Sequence, residues 1–213
     1  MKIKRLLTDK NLYFCLKVEV PNLCIFYIKE SFTYYRNNLT LCIRIILIPC
    51  MKILITGTPG VGKTTLSKKI SDILGIKHID LSKFIKENQL YDSYDKEFDT
   101  HIFNEKTVKR ELKKELDTLN SFIIDTHSPE CVSFIDFDQI YILKVENSVL
   151  YSRLKERGYT DKKIKENINC EIFGITEETV EDLFGEDYEL VGEIEGCISE
   201  KKMMEKIKKG NKP

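Results

Sequence analysis

An α/β fold built on a doubly wound, five-stranded parallel sheet is predicted by three features of the chain. Apolar runs alternate with helical stripes from residue 52 onward. The first run, Lys52-Ile53-Leu54-Ile55-Thr56, is unbroken, as a central strand covered on both faces requires. A glycine loop, Gly57-Thr58-Pro59-Gly60-Val61-Gly62-Lys63-Thr64-Thr65, then leads into a pattern with Leu66, Ile70, Ile73 and Leu74 on one helical face.

The remaining elements follow the same alternation. Strands are predicted at 52–56, 76–79, 121–125, 139–145 and 189–194. Helices are predicted at 63–74, 82–88, 105–118, 147–156, 161–172 and 199–209. In the third helix Val108, Leu112, Leu116 and Leu119 form one stripe. Ser199 caps the last helix and Gly210 ends it. Strands that alternate with helices pack as a parallel sheet with right-handed crossovers, and ligands bind at the carboxyl ends of its strands. Two segments are natural inserts at that end, about 80–103 and about 156–166.

Charge divides the chain in two. The 213 residues carry 34 basic and 34 acidic side chains, but residues 1–50 hold eight basic against three acidic. Residues 51–213 therefore hold 26 against 31 and are mildly acidic, which excludes general nucleic-acid binding through a basic face. The seven cysteines show no CxxC pairing and no histidine at ligand spacing, so they read as free thiols of a reducing compartment.

Residues 1–50 do not fit the rest. They hold four of the seven cysteines and show no sustained period of 3.6 or 2. Charged residues break every apolar stretch, so neither a secretory signal nor a membrane span is read there. Met51 opens a second Met-Lys-Ile just before the first strand. The expectation is an upstream extension of doubtful status, poorly ordered, with Met51 as the true start and 51–213 as the functional domain.

The glycine loop satisfies the phosphate-loop pattern GxxxxGK[ST], in the strand–loop–helix context the pattern needs. Its glycines let backbone N–H groups curl around a phosphate, and the helix N-terminus adds about half a positive charge. Lys63 then reaches the β- and γ-phosphates of a nucleotide such as ATP, and the Thr64 hydroxyl ligates Mg²⁺. Asp125 ends an apolar strand; it holds the Mg²⁺ shell or satisfies turn N–H groups. His127, two residues on, orients a water or bonds a neighbouring loop. Residues 51–213 hold three arginines: Arg110, and Arg153 and Arg157 four apart on one helix face. That pair serves a transferred phosphoryl group or, for Arg153 above all, a solvated face. Lys86 is the nearest cation for an acceptor phosphate. Asp92, Asp95, Glu97, Asp99 and the run Glu177–Glu189 form a solvated face or a surface suited to a basic protein.

Six motifs in order narrow the class: the phosphate loop, Leu90-Tyr-Asp-x-Tyr-Asp95, Asp125-x-His127, Leu150-Tyr-x-Arg-Leu154, Arg157-Gly-Tyr159 and Asn167-Ile-x-Cys-Glu-Ile172. Together they resemble the adenylate kinase isoenzyme 6 family, from Lys52 to the C-terminus. The resemblance implies a phosphate-loop NTPase fold, ATP binding by Gly60, Gly62, Lys63, Thr64 and Thr65, and a second nucleotide-hydrolysis motif at Asp125 and His127. It implies a lid arginine at Arg157, a monophosphate-binding region at about 80–103 and a lid at about 156–166. Lys86 stands where some members carry arginine.

For the whole chain the resemblance implies Mg²⁺ with ATP, and AMP or another nucleoside monophosphate as acceptor. It also implies a nuclear and cytoplasmic role in 18S rRNA processing and pre-40S maturation, through a small-subunit ribosomal protein with a basic tail. No membrane is implied, and the chain is expected as a monomer or weak dimer. Two functions stay open: a kinase making two ADP from ATP and AMP, or an ATPase assembly factor with negligible kinase activity. The kinase needs no general base, because its acceptor oxygen is already anionic. The ATPase must orient water, which gives His127 more to do. Residues 80–103 contain no arginine, which weakens the kinase.

Overall fold

The computed structural model describes residues 3–8, 11–16, 19–20, 23–35, 38–96 and 100–191, with side chains over 50–96 and 100–191. The chain divides into two units, Met1–Met51 and Lys52–Pro213. In the first, β1 (Ile3–Thr8) pairs β2 (Asn11–Leu16), and β2 pairs β4 (Leu23–Tyr35). Strand β4 also pairs β3 (Glu19–Val20) and β5 (Asn38–Pro49), and every pairing is antiparallel. Their Ile, Phe and Tyr content suits strands. Runs such as Leu23-Cys24-Ile25-Phe26-Tyr27-Ile28 are apolar at consecutive positions, so no alternation marks them in the sequence.

The second unit is the doubly wound domain. Its strands are β6 (Lys52–Thr56), β7 (Lys77–Asp80), β10 (Phe122–Asp125), β11 (Gln139–Leu143) and β12 (Glu189–Val191). They pair in parallel in the order β12-β11-β6-β10-β7. Central β6 is buried from Ile53 to Thr56. One face of the sheet, with Leu54, Ile79, Ile124, Ile140 and Ile142, packs on three helices. These are α2 (Leu81–Glu87), α3 (Glu105–Leu116) and α6 (Ile175–Phe184), through Leu81, Ile85, Val108, Leu112, Leu116 and Val180.

On the other face lies α1 (Lys63–Leu74), which buries Lys63, Leu66, Ser67, Ile70 and Leu74. Ile73, expected on that stripe, is 56% exposed. At 3.6 residues per turn it lies about 80° from the stripe's centre, at its margin.

Helices α4 (Asn147–Glu156) and α5 (Asp161–Ile172) complete the unit. Segment 80–103 contains α2 and an antiparallel hairpin of β8 (Ser93–Asp95) and β9 (Thr100–Ile102). Segment 156–166 is the turn after α4, with Gly158 at φ 74°, followed by the first residues of α5. Neither α6 nor the hairpin was expected. The fourth strand stops at Leu143, two residues short of the predicted end. Residues 192–194 of the last predicted strand and the predicted helix 199–209 lie outside the described residues. Among the described residues, no helix is long and apolar enough to cross a membrane.

Candidate nucleotide-binding site

The loop after β6 is shaped by what its glycines meet. A Cβ on Gly60 would stand 2.8 Å from Leu150 and 3.0 Å from Leu154, so the loop packs directly on α4. Gly62 caps α1 at φ 102°, and nothing lies within 4 Å of where its Cβ would be. The first glycine allows packing; the second leaves the helix N-terminus open, where an anion is favoured.

Lys63 is folded back into this loop. Its Nζ donates to the carbonyls of Gly57 at 2.6 Å and Thr58 at 3.0 Å. Burial lowers its pKa from 10.5 to about 8; Asp125 opposes that fall and Arg157 adds to it. An arriving phosphate supplies the negative charge this ammonium lacks.

The next residue meets the end of β10. The Thr64 hydroxyl donates to Asp125 Oδ1 at 3.0 Å. The other carboxylate oxygen contacts Nε2 of His78, from the neighbouring strand β7. Parallel register pairs Ile123 with His78 and Asp125 with Asp80, which puts His78, Asp80 and Asp125 on one face. This set fits Mg²⁺. A hydroxyl and a carboxylate are hard oxygen donors, and Mg²⁺ takes one or two such groups together with phosphates and water. Among the described residues no cluster of three or more His, Cys, Asp or Glu could hold a metal by itself.

These groups open into a cavity of about 600 Å³. The loop, from Pro59 and Gly60 through Gly62, Lys63, Thr64 and Thr65, forms its floor. Asp125 and His127 line one wall, and Ser82, Ile85 and Lys86 of α2 with Thr100, His101 and Phe103 of the hairpin line another. The lid side brings Arg157, Tyr159, Lys163, Glu166, Asn167 and Cys170. His127 is solvent-exposed at this wall. Its pKa is lowered to about 4, by desolvation first and then by Lys63 and Lys163. The lowered pKa leaves the imidazole neutral at pH 7.

The phosphate-loop residues, Asp125, His127, Arg157 and Lys86 thus share one cavity. Arg153 does not join them. It is half-buried on α4, one helical turn before Arg157, and does not line the cavity. Arg110 pairs with Glu111 on the exposed side of α3. The sequence reading also missed His78 and Glu171. His78 meets Asp125 only through sheet register. Glu171 stood inside a quoted motif, four residues after the cavity residue Asn167, and that spacing was the available signal.

The fold and the site define a phosphate-loop nucleotide kinase. A family model described as an AAA domain matches residues 53–174. An adenylate kinase isoenzyme 6 homolog of Caenorhabditis elegans is 34% identical over 149 residues, covering 70% of this chain and 81% of that protein. One of Plasmodium falciparum is 37% identical over 147 residues, covering 62% of this chain and 79% of that protein. The chain belongs to the adenylate kinase isoenzyme 6 family. Among solved structures, deoxyadenosine kinase from M. mycoides with products dCMP and a flexible dCDP is similar in fold, at TM-score 0.51 and 22% identity. That alignment covers 75% of this chain and all of that one, 100%.

Proposed function

We propose that the protein transfers the γ-phosphoryl group of Mg²⁺-ATP to AMP or another nucleoside monophosphate, giving two diphosphates, and that it also hydrolyses ATP. The observation that carries this reading is the convergence of Lys63, Thr64, Asp125 and Arg157 on one cavity whose opposite wall is α2 and the hairpin. Lys63 and the loop N–H groups hold the β- and γ-phosphates, and Arg157 adds charge at the equatorial oxygens. Thr64 and Asp125 would hold Mg²⁺, which when bound would supply charge neutralisation for the phosphates. Lys86 receives the acceptor's phosphate. Its oxygen is already anionic, so placement suffices.

A second reading, an ATPase with negligible kinase activity, is favoured by the arginine-free acceptor wall and by the neutral His127 facing the cavity. A neutral imidazole can accept a hydrogen bond from an attacking water. We further propose a nuclear and cytoplasmic role in small-subunit maturation and 18S rRNA processing, through a ribosomal protein with a basic tail, by a monomer or weak dimer. The exposed Glu178, Glu181 and Asp182 of α6 support such a partner. ADP yield from ATP, measured with and without AMP, tests the pair of activities. Strong stimulation by AMP upholds the kinase, and an unchanged yield leaves only the ATPase.

A further inference from the structure

Glu171 is a buried carboxylate, 7% exposed, near the end of α5. Its Oε2 accepts a hydrogen bond from the Thr58 hydroxyl at 2.5 Å, across 113 residues of sequence. Its Oε1 accepts from the Val145 N–H at 3.4 Å and lies 3.8 Å from Lys144 Nζ. Lys144 also pairs with Glu177 on α6. A buried carboxylate survives only when such donors replace its water. This one has donors from the phosphate loop and from the residues after β11.

Thr58 is therefore a joint. Its side chain holds the lid helix through Glu171, and its carbonyl holds Lys63 at 3.0 Å. Helix α5 in turn presents Lys163, Glu166, Asn167 and Cys170 to the cavity. One hydroxyl thus connects the helix that covers the nucleotide with the loop that grips its phosphates. Gly57, just before, leaves no slack: a Cβ there would stand 2.6 Å from the Leu143 carbonyl oxygen.

We propose that Glu171 is a positioning residue for the ATP side of the site. It fixes the Thr58 segment so that the loop N–H groups and Lys63 meet the phosphates, and it ties α5 to the same segment. The proposal rests on the nucleotide-binding reading above. It predicts an effect on ATP that is separate from any effect on the acceptor.

The test uses the full chain with Glu171→Ala, Glu171→Gln, Thr58→Val and Thr58→Ser. Binding of a fluorescent methylanthraniloyl ATP is measured alongside steady-state kinetics and thermal melting. Removing the carboxylate or the hydroxyl should weaken ATP binding about tenfold, the range for a buried hydrogen bond left unmade. Glu171→Gln keeps an acceptor oxygen and Thr58→Ser keeps the hydroxyl, so both should bind ATP within about twofold of wild type. The acceptor's KM should stay within about twofold in every variant, which a general loosening of the fold would not allow. The double variant Thr58→Val with Glu171→Ala should be no worse than either single change.

Folded Glu171→Ala and Thr58→Val proteins that bind ATP like wild type would overturn the proposal, even if both melt earlier. So would additive losses in the double variant. A wild-type chain that binds no ATP at all overturns the nucleotide-binding reading itself, a result distinct from either.

Discussion

The donor and acceptor walls of the cavity are built from different materials. The donor wall consists of a buried strand end and a helix N-terminus: Lys63, Asp125 and Thr126 are each less than a tenth exposed. The acceptor wall consists of a seven-residue helix and two three-residue strands, whose Tyr94 and Ile102 are 48% and 49% exposed. Charge on the donor side is fixed before ligand arrives, with Lys63, Asp125 and Thr64 already bonded. Acceptor-side charge rests on Lys86, a flexible cation on a short helix. Pre-organised charge raises rates, whereas a flexible side chain gives up rotamer freedom each time it binds. On the proposed function, tight chemistry and loose acceptor choice are thus separate properties of one site.

The largest break in this contrast is Lys63→Ala. Turnover should fall about a thousandfold or more while the fold persists, since the buried charge that meets the phosphates is removed. A coupled ADP assay with a circular dichroism control checks it. The two arginines at the end of α4 come next. Arg157→Ala should lower kcat/KM for ATP about thirtyfold, and Arg153→Ala, one turn away from the cavity, less than about threefold. Equal losses in parallel kinetics would show that α4 presents both to the nucleotide.

The pH response is smaller and has a definite sign. Free Lys63 titrates near pH 8, and bound phosphate raises that value. Binding therefore takes up a proton above pH 8. ATP affinity should fall about tenfold between pH 7 and pH 9 by that linkage, as titration calorimetry in buffers of different ionisation enthalpy would register. The smallest effect is on the acceptor side. Lys86→Ala should raise the KM for AMP about fivefold and leave ATP binding alone, the loss of one exposed charge on a phosphate.

The same contrast governed what was legible in the sequence. Lys63, Thr64 and Asp125 sit in short motifs at strand ends, where spacing alone sets position. The β6 run and the α1 stripe are similarly local. By contrast β8 and β9 are too short to show alternation, and their outward residues include Tyr94 and Ile102. Helix α6 was read as an acidic surface because Val180 is its one fully buried residue. Phe184 then meets Phe137 edge-on at 5.9 Å, a contact no helical period reveals. His78 and Glu171 reach the site through sheet register and helix placement. Arg153 lies off the cavity for a related reason: a shared helix face does not fix which turn of the helix meets the cavity.

Lys63 carries one more consequence. With the loop empty, a charged ammonium is held among carbonyls at a cost of about 3 kcal/mol, from a pKa of 10.5 unfolded and about 8 folded. That cost is fully present below pH 8 and fades as pH climbs from 8 toward 10.5, where the unfolded chain binds the extra proton. A phosphate removes it at neutral pH. Nucleotide therefore relieves an existing tension as well as adding contacts, and the resting enzyme is the strained partner of the loaded one. Its equilibrium stability therefore rises with the nucleotide supply around it.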